Sequence, residues 1–321
     1  VKLDATMMKI RETAKGKKNV FFVGCGGSLA DLYPGKYLID SEAKSLKAFH
    51  ISSNEFVHAT PNAFGTDSIL IVCSHQGNTP ETVEAARIGK EKGAMVIAFT
   101  NTEGSPLTEY GTFNIKYEFG ADVRAELTKM GTVLRVAFEL LSELDSYDHY
   151  SLAVEGFQKI HDLAIKARTE TLSRAEAFAQ EHVNDKNIYV IGSGSSYGVA
   201  YSYSICILME MQWINSSSIH SGEFFHGPFE ITDDKIPFIL LKGAGRTRPL
   251  DERAHSFINK YGKRITVLDA EEMGISQIAP EVVEFFNPLL LNIVLRSYAE
   301  HLATARNHPL STRRYMWKVE Y

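Results

Sequence analysis

The sequence predicts an α/β protein made of two copies of one unit, each a parallel sheet covered by helices on both faces. Three observations carry this expectation. The segment NVFFVGCGGS at Asn19–Ser28 recurs as NIYVIGSGSS at Asn187–Ser196. The spacing between them, 168 residues (19 to 187), recurs further along the chain. Short apolar runs alternate with helical stretches in both halves.

Each anchor segment is an apolar, β-rich run ending in small residues, the pattern of a buried strand feeding a glycine-rich turn. At the same spacing, Ser53-Asn54-Glu55-Phe56-Val57-His58 falls on Ser221-Gly222-Glu223-Phe224-Phe225-His226. Ser68–Ser74 (SILIVCS) falls on Ile236–Lys242 (IPFILLK), and Gly77, Thr79 and Glu84 fall on Gly245, Thr247 and Glu252. One register kept across glycines, an acid–aromatic–His block and two strands marks an internal duplication. The spacing is expected to run through this stretch without a gap.

In chain order, the strands expected in the first copy are 19–24, 46–51, 68–73 and 95–100. Those of the second are 187–192, 214–219, 236–241 and 264–268. Helices fill the intervals at 28–40, 79–93 and 125–144, then at 196–213, 249–262 and 288–306. Pro80, just after Thr79, suits the first turn of its helix. Residues 145–186 read as a helix-rich connector, with Ser151–His182 as its helical part. The domains expected are therefore 1–150 and 151–321.

Composition narrows the function. Of 321 residues, 44% are hydrophobic and 23% charged, the balance of a soluble globular protein. The net charge is −5 and Lys and Arg form no stripe, which argues against nucleic-acid and anionic-membrane partners. Cys25, Cys73 and Cys206 are too few and too scattered for a disulfide framework or a zinc site, so a reducing compartment is expected. No apolar run reaches membrane-spanning length and the start lacks a signal-peptide layout, so a cytoplasmic location is expected.

In an open α/β sheet, ligands bind beyond the carboxyl ends of the strands, so the chemistry belongs in the loops that follow them. Ser74-His75-Gln76-Gly77-Asn78-Thr79 follows one such strand and leads into a helix. Its hydroxyls, its glycine-freed backbone N–H groups and the positive helix end suit a phosphate without needing a lysine. Plain helix capping by Ser74 or Thr79 is the simpler alternative. The other glycine loop, Gly24-Cys25-Gly26-Gly27-Ser28, fails as a dinucleotide fingerprint. Leu29 stands at the sixth position, Tyr197 does so in the second copy, and no acid closes the strand at Phe49–Ser52.

The second copy has Lys242-Gly243-Ala244-Gly245-Arg246-Thr247 in place of the serine-rich loop, so it is free to supply something other than a phosphate seat. His226, between Phe225 and Gly227-Pro228, is suited to proton transfer, its ordinary pKa being about 6.5. A histidine that merely packs or caps is the alternative. Glu210 sits in the apolar stretch Ile205–Trp213 (ICILMEMQW), where a carboxylate is costly unless paired or kept for a raised pKa. A zinc site from His220 and His226 matches no standard ligand spacing.

At these residues the chain resembles the double SIS (sugar isomerase) domain proteins. It is similar to the isomerase half of glucosamine-6-phosphate synthase and more so to the bacterial fructosamine deglycases. The motifs GCGGS, SHQGNTPET, HSGEFFHGPFEIT and the tail HPLSTRRYMWKVEY carry this from end to end. The resemblance implies two tandem SIS domains, each a flavodoxin-like sheet. It implies that Gly26, Gly27, Ser28, Ser74, Gln76 and Thr79 hold a sugar phosphate, with His75 where the family has glutamine. It puts the catalytic acid–base on Glu210 and ring opening on His226, delivered from the neighbouring subunit of a homodimer. Glu42 and His58 occupy the same register in the first copy, and the family pattern selects the second pair.

Near the C-terminus the synthase uses a lysine. Here Thr312-Arg313-Arg314-Tyr315 stands in that region, and Arg314 is taken as the counterpart. No metal or organic cofactor is implied. The expected reaction is cleavage of a 6-phosphofructosyl amino acid. An aldose–ketose isomerase, an ammonia-dependent synthase and a non-catalytic sugar-phosphate sensor are the alternatives.

Overall fold

The computed structural model describes residues 2–120 and 122–320. Two compact units emerge, Val1–Phe157 and Gln158–Tyr321. In the first, α1 (Lys2–Ala14) precedes β1 (Asn19–Gly24), α2 (Gly26–Glu42), β2 (Lys47–Ser52), α3 (Ser53–His58) and β3 (Ser68–Cys73). Then follow α4 (Pro80–Glu91), β4 (Met95–Thr100), β5 (Phe113–Lys116), α5 (Lys129–Asp145) and α6 (Tyr150–Glu170), inside which the division falls. The sheet is parallel with strand order β2-β1-β3-β4-β5, the flavodoxin-like arrangement.

The second unit continues with α7 (Leu172–Glu181), β6 (Tyr189–Gly192), α8 (Tyr197–Ser202), a π-helix over Tyr203–Met211 and β7 (Ser218–His220). It is completed by β8 (Phe238–Lys242), α9 (Arg248–Tyr261), β9 (Ile265–Asp269) and α10 (Val283–Ala305). Its parallel sheet runs β7-β6-β8-β9, the first sheet's order without the fifth strand.

The duplication is visible in the pairing register. Phe22 stands opposite His50 and Phe21 opposite Leu70; Val190 stands opposite Ser218 and Tyr189 opposite Phe238. All four residues move by the same 168 (22 to 190, 50 to 218, 21 to 189, 70 to 238). The spacing does not hold without a gap, however. Leu70 faces Val96 and Phe238 faces Ile265, a step of 169 (96 to 265). The added residue is Arg248, which separates Thr247 from Pro249 where Thr79 and Pro80 are adjacent. Glu84 and Glu252 are therefore not equivalent.

Central strands covered on both faces bury every residue: β1, β3 and β4 do so throughout. Phe56 and Phe224, the equivalent aromatics of the two acid–aromatic–His blocks, are both fully buried. Each joins the apolar cluster of its own sheet, beside Phe21 and Leu70 or beside Phe238 and Leu240. Burial of such a side chain contributes about 1.5–3 kcal/mol, which fixes these blocks to the core.

Other differences from expectation are local. Helices α1 and α3 and strand β5 lie outside the elements anticipated. The stretch 214–219 yields only β7 and a single bridge between Asn187 and Asn215, because Asn215-Ser216-Ser217 lacks β-branched apolar side chains. The expected helix 196–213 divides into α8 and the π-helix. Helix α10 starts at Val283 with Pro288 inside it. Pro288 cannot donate to the Glu284 carbonyl, which instead accepts from Asn287 Nδ2 at 3.1 Å and from the Ser195 hydroxyl.

Candidate active site

In the first unit, the strand order reverses between β1 and β3, and the crevice beyond their carboxyl ends is the expected ligand position. The loops there are Gly24–Ser28 and Ser74–Thr79. Ser74 is buried, and its Oγ lies 2.8 Å from Thr79 Oγ1. Thr79 is the N-cap residue of α4, yet its side chain makes no capping bond. Capping therefore does not account for its hydroxyl. Gly77 has φ +68°, and a Cβ there would collide with the Ser105 side chain, so glycine alone permits this turn. Gln76 is exposed. His75 is half-buried, with Nδ1 2.9 Å from the Tyr117 hydroxyl. Burial, with help from nearby Lys129, lowers its pKa and favours the neutral ring.

The glycine loop brings Gly26 (φ +52°), Gly27 and Ser28 to the start of α2. Ser28 Oγ accepts from Lys129 Nζ at 3.3 Å, and the same ammonium pairs with Asp31 at 2.9 Å. Lys129 was missed in the sequence. It lies a hundred residues from Ser28 in the chain, on the first turn of α5, and no local motif marks it. Burial works against its charge, but Asp31, Cys73 and Tyr117 together outweigh this and hold its pKa above the usual lysine range. Cys73 is also buried there, its thiol pushed up to about 11; it is an inert thiol, not a nucleophile.

In the second unit the equivalent loop is filled by its own chain. The Glu284 carboxylate accepts from the Arg246 backbone N–H at 3.1 Å and from Arg246 Nε at 2.7 Å. Asn287 Oδ1 accepts from the Ala244 N–H at 3.0 Å. A carboxylate on a freed backbone N–H and a guanidinium is the internal counterpart of a bound anion.

Glu210 lies in the π-helix, half-buried, with Arg313 Nη2 2.8 Å from its Oε1. Burial raises its pKa, while the charge and hydrogen bond of Arg313 pull the other way; the net shift is upward. Arg313 is itself tied to the tail, donating to the Leu310 and Thr312 carbonyls at 2.8 Å. Arg314 is exposed and stacks over Trp213, 4.2 Å from the ring centroid. The residue of the tail that meets Glu210 is thus Arg313. His226 is exposed, its N–H bonded to the Glu223 carbonyl at 2.9 Å, ahead of Gly227 with φ +132°. Glu42 and His58, their counterparts by register, end α2 and α3.

Among the described residues no group of three His, Cys, Asp or Glu side chains is placed to hold a metal ion, and no helix is long and apolar enough to cross a membrane.

The fold is that of a doubly wound α/β protein with glycine- and hydroxyl-rich loops at its strand ends, and comparison with known proteins gives the family. The SIS domain model matches residues 15–142. Fructosamine deglycase FrlB of Bacillus subtilis (strain 168) is 48% identical over 322 residues, covering 100% of this chain and 98% of that protein. Fructoselysine 6-phosphate deglycase of Escherichia coli (strain K12) is 26% identical over 296 residues, 92% of this chain and 84% of that one. A solved Salmonella typhimurium LT2 protein superposes with TM-score 0.97 at 48% identity, over 100% of this chain and 97% of that one. The chain belongs to the SIS-domain fructosamine deglycase family.

Proposed function

We propose that this chain cleaves 6-phosphofructosyl amino acids to glucose 6-phosphate and a free amino acid. The relatives named deglycases support the reaction type. The observation that carries the mechanism is Glu210, a half-buried carboxylate with a raised pKa on a π-helix, an element that recurs at functional sites.

Ser28, Ser74, Gln76 and Thr79, with Gly26 and Gly27 giving close backbone approach and His75 alongside, hold the phosphate. His226 assists ring opening. Ionised Glu210 takes a proton from carbon 1 of the open ketosamine while the carbon-2 oxygen takes one from water, giving an enaminol. Glu210 then returns its proton to carbon 2 as the amine nitrogen gives its own up to water, leaving a Schiff base with a hydroxyl at carbon 2. Water adds to that imine and the amine leaves, so the sugar carbon ends as an aldehyde. A raised pKa makes Glu210 the stronger base, and positioned acid–base catalysis contributes about 10²–10⁴-fold. Arg313 sets the carboxylate's orientation, and Arg314, the counterpart of the synthase lysine, reaches the sugar.

The reading includes a cytoplasmic homodimer whose site is completed at the subunit interface by the partner's copy of the His226 block. Its support is apolar exposure near Glu210 in the sequence and on the tail: Met209 is 46% exposed, Trp213 41% and Trp317 74%.

Glu210→Gln is the test. Glucose 6-phosphate release from a 6-phosphofructosyl amino acid should stop, while glucose 6-phosphate still binds. Retained turnover removes Glu210 from the mechanism. Product analysis with a 6-phosphofructosyl amino acid would separate the other readings: an isomerase returns an isomeric sugar phosphate, a synthase consumes ammonia, and a sensor turns over nothing.

A further inference from the structure

Each repeat places a serine at the head of its acid–aromatic–His block, and each serine is tied to the third position counted from the proline in the first turn of the next helix. In the first repeat Ser53 Oγ lies 2.8 Å from Thr82 Oγ1, with Thr82 in Pro80-Glu81-Thr82. In the second, Ser221 Oγ donates to Asp251 Oδ1 at 2.6 Å, with Asp251 in Pro249-Leu250-Asp251. A neutral hydroxyl in one copy is a carboxylate in the other.

That replacement is costly. Asp251 is 0% exposed, and a buried carboxylate is unfavourable unless its oxygens are well satisfied. They are satisfied here: Ser193 Oγ donates to the same Oδ1 at 2.7 Å and the Gly243 N–H to Oδ2 at 3.2 Å. Ser193, Ser221 and Gly243 each follow the last residue of a strand, β6, β7 and β8. One carboxylate therefore gathers three of the four strand ends of the second sheet, where in the first repeat the Thr82 hydroxyl meets Ser53. From Ser221 the chain closes turn on turn towards His226. The Glu223 N–H bonds the His220 carbonyl at 2.8 Å, and the His226 N–H bonds the Glu223 carbonyl at 2.9 Å. Phe224 pins the middle of this run in the core.

We propose that Asp251 is a positioning residue for His226: through Ser221 it fixes the start of the turn series that presents the imidazole. The inference rests on the reading of His226 given above. A bond network that orients a group without touching the substrate acts on turnover rather than on substrate capture.

Asp251→Asn and Ser221→Ala, each alone and each combined with His226→Ala, test it in the full-length protein. Activity is read with 6-phosphofructosyl-lysine or 6-phosphofructosyl-aspartate, whichever is turned over, and binding with glucose 6-phosphate by calorimetry. Each single change should lower kcat by about 10–100-fold while KM and glucose 6-phosphate affinity stay within about twofold. In the His226→Ala background neither should lower kcat further. Undiminished kcat in both single variants, or a loss that persists in full beside His226→Ala, overturns the inference alone. Full kcat in His226→Ala itself overturns the reading of His226 and the inference with it. If Asp251→Asn does not fold, Ser221→Ala keeps the carboxylate and decides the matter.

Discussion

Arg313 Nη2 stands 2.8 Å from Glu210 Oε1, and the arginine side chain is only 9% exposed. The pair sets two opposed effects on one carboxylate. Burial favours its protonated form, and the guanidinium favours its ionised form.

Replacing Arg313 by methionine removes the opposing effect and leaves burial. The pKa of Glu210 then rises further. Because the base acts ionised, the rate falls as pH drops through that pKa, so the acid limb of the kcat/KM profile should move to higher pH. A limb that stays in place would mean that the ion pair does not tune the base.

Lys129→Met should weaken phosphosugar binding more than turnover. A hydrogen bond to a charged group is worth about 1.5–3 kcal/mol, so KM should rise roughly 10–100-fold with a smaller change in kcat. Asp31, 18% exposed on its side chain, loses its partner in this variant. Asp31→Asn/Lys129→Met separates that effect, and it should recover thermal stability without recovering KM. An unchanged KM removes Lys129 from the site.

Most strands were legible because they are apolar runs repeated at one spacing, and the pairing register follows that spacing through three strands; the flavodoxin-like order came from the family resemblance. What escaped the sequence was of three kinds. Strand β5 is an edge strand of four residues with burial at Ile115 alone, too short and too polar to stand out. The π-helix is invisible to a periodicity that scores ICILMEMQW simply as apolar. Lys129 and Asp251 are charged residues bonded to Ser28 and Ser221, far off in the chain, and of the two tail arginines the sequence does not say which meets Glu210. The glycine and serine loops were readable because their residue types answer to local backbone demands, as Gly77 does.

Gly77→Ala should cost more than Gly26→Ala. Both glycines have positive φ, +68° and +52°. At Gly26 a Cβ meets nothing within 4 Å, so the cost is the backbone term alone, about 1 kcal/mol. At Gly77 the Cβ meets the Ser105 side chain as well, and the turn carrying Ser74 and Thr79 must shift. Urea unfolding should show the larger loss at Gly77, and calorimetry should show loss of glucose 6-phosphate binding there. Equal effects at the two positions would contradict the steric account.

Asp251 makes stability depend on pH with a definite sign. Burial pushes its pKa up to about 6 from an ordinary 3.8, against the hydrogen bonds from Ser221, Ser193 and Gly243 and the charge of Arg248. Between those two values the native state holds the proton more firmly than the unfolded chain. Stability from this group is therefore full below about pH 4, declines as pH rises through 6, and is constant above. The span corresponds to about 3 kcal/mol at 1.36 kcal/mol per pH unit. Asp251→Asn lacks this slope. Urea unfolding of both proteins from about pH 4 to pH 8 should show the stability of the variant relative to the parent rising across this window and then levelling. A difference that is flat with pH would show that the carboxylate stays ionised in the core at no cost. A rising one, in a variant that turns over slowly, would mean that the charge is retained for its effect on His226 and at the expense of stability.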